Sequence, residues 1–198
     1  MKTTTYKLRI ILTNPLLGSQ PTRDVVSEYI AKKNGFELTE TESEMLPDVL
    51  EKGTTVFHRN RDGQPCLMSY QVLGFFKASA QVQNGKVVGG VKNLRSKVGN
   101  QVFISPNILP IQMPASGEMD YCERPLRAQT AMGERVALAR SEMIPAGAVI
   151  ECGVEVLDGE ITEAVLIDLL DYGFYRGLGQ WRNSGTYGTF RYELTRED

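Results

Sequence analysis

The most informative segment of this 198-residue sequence is Gly177-Leu-Gly-Gln-Trp-Arg-Asn-Ser-Gly-Thr-Tyr-Gly188, which we call the glycine loop. Four glycines in twelve residues cost much conformational entropy unless the chain requires positive φ angles or close approach of its backbone. No Lys-Ser/Thr pair follows the glycines, so the segment is not a P-loop. A predicted helix precedes it and a predicted strand follows it, an order that excludes a dinucleotide-binding fingerprint.

Two interpretations of the glycine loop are open. In the first, its exposed backbone N–H groups cradle a phosphate, Arg182 adds positive charge, and Trp181 or Tyr187 offers a ring for stacking. That interpretation predicts ligand contacts from Gly177, Gly179, Trp181, Arg182, Gly185, Tyr187 and Gly188. In the second, the segment is a long connection that uses glycine to turn.

The flanks of the glycine loop carry clear periodicity. A helix is predicted to begin near Thr162, a suitable N-cap, with a buried stripe at Val165, Leu166, Leu169 and Leu170. Phe190, Tyr192 and Leu194 alternate with charged residues and predict a final strand. Upstream, Ile144-Pro-Ala-Gly147 introduces a strand over 148–156, in which apolar residues alternate with Glu151 and Glu155.

The N-terminal half predicts fewer regular elements. Tyr6, Leu8, Ile10 and Leu12 alternate and predict a half-buried first strand. A helix is predicted over 23–33, then a β-hairpin formed by 54–60 and 65–70 around Asp62-Gly63, then a helix over 71–83. The glycine-rich, basic segment 85–100 has few large apolar residues, so we expect an exposed, mobile loop there.

The order helix, GxG, arginine, glycine, hydrophobic residue, glycine, strand resembles the signature loop of the RAMP superfamily of CRISPR-associated RNA-binding proteins. The sequence departs from that pattern by one residue, because Thr186-Tyr187 stands where the family has one hydrophobic residue. Ser141-Glu-Met-Ile-Pro-Ala-Gly-Ala-Val-Ile-Glu151 is similar to the strand pair that precedes the last helix in RAMP backbone subunits. Together these segments cover roughly residues 134–194. The general style of the chain also resembles small phage proteins.

The resemblance implies an α+β, ferredoxin-like (RRM-like) fold: an antiparallel sheet with the helices 23–33 and 162–172 on one face. Residues 1–198 would form one RAMP-like domain, with hairpins and a mobile loop inserted at about 54–130. The implied function is non-catalytic binding of RNA or a small nucleotide, in an oligomer or with a CRISPR or other defence protein. Alternatives are a phage-encoded inhibitor that sequesters a nucleotide signal or a protein partner, and a metal-dependent ribonuclease.

The residues available for catalysis are few. RAMP enzymes that cut RNA without metal commonly use histidine, and the sequence has one, His58, which is equally a surface residue beside a hairpin turn. Some RAMP backbone subunits cut RNA with an aspartate after the first strand, and Asp24 lies near that place, where it also suits a helix N-terminus. The acidic cluster 37–51 is interpreted as a solvated face. We therefore expect that the protein is not an enzyme and that it has no metal site and no cofactor.

Composition limits the remaining classes of function. The formal net charge is −2, so any nucleic-acid contact must come from a local basic patch. Two clusters of basic residues could form such a patch. The first consists of Lys92, Arg95 and Lys97, and the second of Arg124, Arg127, Arg135 and Arg140. The alternative is that both are scattered surface charges. The three cysteines lack zinc-site spacing and are expected to be core residues in a reducing compartment. With no run long enough to span a bilayer, we expect a cytoplasmic protein without membrane contact.

Overall fold

The computed structural model describes residues 2–22, 54–115, 117–130, 133–180, 182 and 185–197, with the backbone alone described over 126–130 and 133–138. The strands are β1 (Thr3–Leu12), β2 (Leu16–Leu17), β3 (Gln20–Pro21), β4 (Thr54–Val56), β5 (His58–Arg59), β6 (Pro65–Met68), β7 (Val102–Ser105), β8 (Ile108–Gln112), β9 (Asp120–Thr130), β10 (Gly133–Ile144), β11 (Val149–Leu157) and β12 (Phe190–Glu197). The α-helices are α1 (Ser69–Val82), α2 (Leu94–Gln101) and α3 (Glu163–Asp171), and short 3-10 turns lie at Val88–Gly90 and Tyr172–Phe174.

The main sheet contains seven strands in the order β12-β1-β11-β8-β6-β5, with β7 also paired to β11. Every neighbouring pair in it is antiparallel. The alternation in β1 explains its central place, because Leu8 and Ile10 are buried while Lys7 and Arg9 face away from the core. The predicted first and last strands are therefore adjacent members of one sheet, as expected.

The helices α1 and α3 pack on the buried face of this sheet and contact each other. Ser79 Oγ of α1 donates a hydrogen bond of 2.8 Å to the Leu169 carbonyl of α3. Phe75 of α1 packs edge-on against Phe190 of β12, with ring centroids 5.0 Å apart. As predicted, Thr162 caps α3 and the four residues of the predicted stripe are buried. The mixed α+β class with a mostly antiparallel sheet is confirmed.

The finer ferredoxin-like assignment stays a prediction. The chain runs from β11 through α3 to β12, and β1 lies between these two strands in the sheet. This arrangement is one split βαβ unit, of which the ferredoxin-like fold is built. The predicted helix 23–33, whose position relative to the sheet was part of the same expectation, lies outside the described residues. The acidic cluster 37–51 lies outside them too.

A second sheet contains β2-β10-β4-β3, with β9 paired to β10. The two long strands β9 and β10 form an antiparallel hairpin in which Arg124 lies opposite Ala139 and Cys122 opposite Ser141. The only parallel pairing described here joins β10 to β4. This hairpin, which we call the long hairpin, brings the arginine-rich segment near the glycine loop.

The prediction that 85–100 is a loop is wrong. This segment contains a 3-10 turn and the helix α2, and its Val87, Val91, Leu94 and Val98 are buried. These four side chains join the core, while most other residues of the segment are exposed as predicted. The first of the predicted hairpin strands is divided into β4 and β5, and α1 begins at Ser69 rather than at residue 71.

Among the described residues, no helix combines the length and the apolar character that crossing a bilayer requires.

Candidate functional site

Glycine is required at the base of the glycine loop because the two ends of the loop meet there. A Cβ atom on Gly177 would lie 1.9 Å from the carbonyl carbon of Gly188. Gly188 has φ +66°, and a Cβ there would lie 2.2 Å from the Leu178 carbonyl oxygen. Gly179 has φ +73°, and a Cβ there would lie 2.7 Å from the Leu17 carbonyl oxygen. No side chain fits at these positions.

Two backbone N–H groups at this base donate to carbonyl groups of the protein itself. The Leu178 N–H donates to the Gly188 carbonyl at 2.9 Å, and the Gly188 N–H donates to the Pro15 carbonyl at 2.7 Å. Leu178 itself is fully buried. The close approach of the protein's own backbone explains why glycine stands at these three positions, and the Gly188 N–H is bonded to Pro15. Phosphate binding by Gly177, Gly179 and Gly188 stays a prediction.

The distal part of the loop is more accessible. Arg182, Gly185 and Tyr187 are half-buried, and Thr186 is exposed. Thr186 adopts φ +55°, a left-handed conformation that is rare for a β-branched residue. Trp181 lies outside the described residues.

Tyr187 connects the glycine loop to the long hairpin. The guanidinium carbon of Arg124 lies 4.9 Å from the centroid of the Tyr187 ring, a cation–π distance. The Tyr187 hydroxyl lies 3.4 Å from Cys122 Sγ, within hydrogen-bonding range for sulfur. This hydrogen bond, together with burial, raises the pKa of Tyr187. An arginine and an aromatic ring from distant segments thus come together.

A cluster of three polar side chains holds the loop in this place. Gln180 Oε1 accepts hydrogen bonds from Thr55 Oγ1 at 3.0 Å and from Ser141 Oγ at 3.1 Å. The hydroxyl oxygens of Thr55 and Ser141 lie 2.8 Å from each other, and the two residues occupy the paired strands β4 and β10. Sequence reasoning missed this cluster. No local pattern links residues 55, 141 and 180, because only the parallel pairing of β10 with β4 brings them together.

The other side of the long hairpin presents a different arrangement. The Arg140 guanidinium lies 3.9 Å from the centroid of the Tyr121 ring, and its Nε forms a 3.2 Å ion pair with Glu123. Glu123 lies directly opposite Arg140 in the hairpin register. The Glu123 carboxylate therefore balances the charge of Arg140 on this side of the hairpin.

The other predicted basic residues either belong to elements other than the glycine loop and the long hairpin or have side chains outside the described residues. Lys92 and Arg95 are exposed beside and on α2, which packs on α1 and β7. Lys97 forms an ion pair with Glu160. The side chains of Arg127 and Arg135 lie outside the described residues. The structure therefore unites the loop with Arg124 and leaves the Lys92–Lys97 cluster elsewhere.

The candidate catalytic residues form no constellation in the described part of the chain. His58 Nε2 lies 3.2 Å from the Tyr70 hydroxyl, and burial lowers the pKa of His58. Asp24 lies outside the described residues. Within the described ranges, no three His, Cys, Asp or Glu side chains are arranged to hold a metal ion. Burial raises the pKa of the Cys152 thiol to about 12, as expected for a core cysteine.

Comparison with known proteins gives one informative result. No family model matches the sequence, and no curated protein matches it. Among solved structures, a chain of the cryo-EM structure of the type III-B Cmr-beta bound to cognate target RNA is similar, with a TM-score of 0.56 and 12% sequence identity. The similarity covers 98% of this chain and 61% of that chain, so this protein spans about three fifths of its structural neighbour. The protein therefore shares its fold with a component of an RNA-bound type III-B assembly.

Proposed function

We propose that this protein is a non-catalytic RNA-binding protein with a RAMP-like fold, and that it holds RNA where the glycine loop meets the long hairpin. The observation that carries the proposal is the stacking of Arg124 on Tyr187, with Arg182 in the same loop. We call these three residues the Arg–Tyr surface. The rest of the proposal follows from the chemistry of the three side chains.

The Arg–Tyr surface has the two chemical features that single-stranded RNA requires. Arginine forms charge-assisted and often bidentate hydrogen bonds to phosphate oxygens. A tyrosine ring supplies a face on which a base stacks, and arginine adds a cation–π contribution. Because the chain as a whole is slightly acidic, contacts to a polyanion depend on such a local group of arginines.

The fold supports the RAMP part of the proposal. The glycine loop follows α3 and precedes β12, the position of the family's signature loop, and β11–α3–β12 forms a split βαβ unit around β1. The structural neighbour comes from an assembly bound to target RNA. We accordingly propose RNA and other defence proteins as partners, self-association or assembly into a larger complex, and action in the cytoplasm.

Arg182→Ala is expected to weaken binding of a short single-stranded RNA by about ten- to a hundredfold, which corresponds to loss of one charge-assisted contact of about 1.5–3 kcal/mol. Loss of one phosphate contact should also reduce the slope of log K against log salt concentration by about 0.7. Fluorescence anisotropy at several salt concentrations measures both quantities.

Arg140→Ala is the matched control for Arg182→Ala. It also removes an arginine, but one that Glu123 neutralises on the other side of the long hairpin. Its effect on RNA affinity should be much smaller. Equal losses in the two variants would mean that binding depends on overall charge, and an unchanged affinity in Arg182→Ala would leave the glycine loop as a structural feature alone.

No RNA cleavage is expected from the wild-type protein. Among the described residues, the His58 ring lies 3.2 Å from the Tyr70 hydroxyl, and no three His, Cys, Asp or Glu side chains are arranged to hold a metal ion. The variants His58→Ala and Asp24→Ala should therefore match the wild type when end-labelled RNA is incubated with magnesium or manganese. Cleavage by the wild type that disappears in either variant, while RNA binding persists, would contradict the non-enzymatic proposal.

A further inference from the structure

A polar groove of about 840 Å³ lies between α1 and α2, away from the Arg–Tyr surface. Its lining combines two basic side chains, four carboxamides, a serine and two small residues: Lys77, Arg95, Gln81, Asn84, Asn93, Asn100, Ser96, Ala80 and Gly99. No carboxylate occurs among these lining residues. None of them belongs to the glycine loop or the long hairpin, so the groove is independent of the function proposed above.

Two facing rows of polar residues form this groove. Lys77, Ala80 and Gln81 are spaced i, i+3 and i+4, so they lie on one side of α1, and Asn84 joins them from the turn that follows the helix. Where two helices pack, such a row is normally apolar, but here only Ala80 is. Asn93, Ser96 and Asn100 supply the corresponding row on α2. The two helices contact each other and Val98 of α2 is buried, whereas most residues of the polar rows are exposed to solvent.

The polar groups are held in place by contacts within the protein. Arg95 donates a hydrogen bond of 2.8 Å to Gln81 Oε1, which connects the two rows across the groove. Asn84 Oδ1 accepts a 3.0 Å hydrogen bond from the Leu94 N–H and so fixes the start of α2 relative to the end of α1. Lys77 is half-buried, and no ion pair to it occurs among the described residues.

Gly99 gives the groove its depth beside Lys77. A Cβ atom on this residue would lie 3.0 Å from Lys77 Cε and 3.5 Å from its Nζ. Glycine inside a helix is destabilising relative to alanine, and Gly99 has no positive φ that would require it. The absence of a side chain here is explained if the lysine stem must lie against α2 with its ammonium group directed into the groove.

From this arrangement we propose that the groove binds a nucleoside monophosphate. Lys77 and Arg95 would contact the phosphate, because ammonium and guanidinium groups form charge-assisted hydrogen bonds to it. The carboxamides would contact the base, because asparagine and glutamine present a donor and an acceptor side by side. The volume suits a ligand of this size, since small-molecule sites occupy about 300–1,000 Å³.

The test measures binding of AMP, GMP, CMP and UMP separately by isothermal titration calorimetry, with inorganic phosphate and the matching nucleosides as comparison probes. At least one nucleotide should bind the wild-type protein more tightly than phosphate or its nucleoside does. Lys77→Ala should lower its affinity by about tenfold or more. Lys86→Ala, which removes an exposed lysine that does not line the groove, should leave the affinity unchanged.

Gly99→Ala is a second test variant, in which melting temperature and nucleotide affinity should change in opposite directions. Its melting temperature should rise, because alanine favours the helix, while nucleotide affinity falls because the new methyl group displaces Lys77. The proposal is overturned if no nucleotide binds, if phosphate alone binds equally well, or if Lys77→Ala weakens only binding of an RNA strand. Arg182→Ala should retain nucleotide binding. The experiment therefore distinguishes failure of the nucleotide site in the groove from failure of RNA binding at the Arg–Tyr surface.

Discussion

Gly177→Ala is expected to destabilise the protein by about 3 kcal/mol or more, among the largest effects of any single substitution here. The added methyl group would overlap three backbone atoms, namely the carbonyl carbon and oxygen of Gly188 and the nitrogen of Thr189, at 1.9–2.2 Å. Backbone atoms cannot rotate away as a side chain can, so the two ends of the glycine loop must separate. That separation breaks the hydrogen bond from Leu178 to Gly188. Urea denaturation of the variant measures the loss.

Gly74→Ala is the control for that measurement. Gly74 lies inside α1, and a Cβ atom there would meet nothing within 4 Å. This substitution should stabilise the protein by up to about 1 kcal/mol through helix propensity. A Gly177→Ala variant with the wild-type denaturation midpoint would show that the loop ends do not approach each other as closely as described here.

Phe190→Ala is expected to cost about 3–5 kcal/mol, the usual range for removing a fully buried phenylalanine. The ring packs on Phe75 and covers Gly173, where a Cβ atom would lie 2.4 Å from Phe190 Cζ. Gly173→Ala alone should therefore also destabilise, because its methyl group and the ring require the same space. Gly173 lies just after α3, which precedes the glycine loop, and Phe190 begins β12, which follows it. Their contact therefore helps to position both ends of the loop.

A double-mutant cycle tests that shared space. In the variant with both substitutions the methyl group of residue 173 occupies part of the cavity left by the ring, so the total loss should be smaller than the sum of the single losses by about 1 kcal/mol or more. Chemical denaturation of the four proteins gives the coupling energy. Strict additivity would show that Gly173 and Phe190 are not in contact.

Much of the main sheet could be predicted because its elements carry strong periodic patterns. The alternation of β1, β11 and β12 and the stripe of α3 each reflect one buried side, and such a pattern depends on the local chain alone. The prediction for segment 85–100 was wrong because its glycines obscured four apolar residues. Only the tertiary structure shows that Val87, Val91, Leu94 and Val98 are all buried in the core.

The candidate site was only partly predictable. The glycine loop stood out in the sequence, and the requirement for glycine was inferred correctly at its base. Whether the close neighbour of those glycines is a ligand or the protein's own backbone depends on where Leu16, Leu17 and the two loop ends lie. Arg124 and Tyr187 are 63 residues apart, so no local pattern could show that they stack.

The sequence by itself determined that β1, β11, β12 and α3 are regular elements, because burial of one side imposes a period of two or 3.6 residues on each of these segments separately. It also indicated that the glycine loop required unusual backbone geometry, because four glycines in twelve residues are costly unless such geometry is needed. The tertiary structure alone decided which segments meet. The Arg–Tyr surface depends on the pairing of β9, β10 and β4, and the polar groove on the packing of α2 against α1. Such contacts join residues distant in the chain, and their energies depend on the packing of the whole molecule rather than on any one segment.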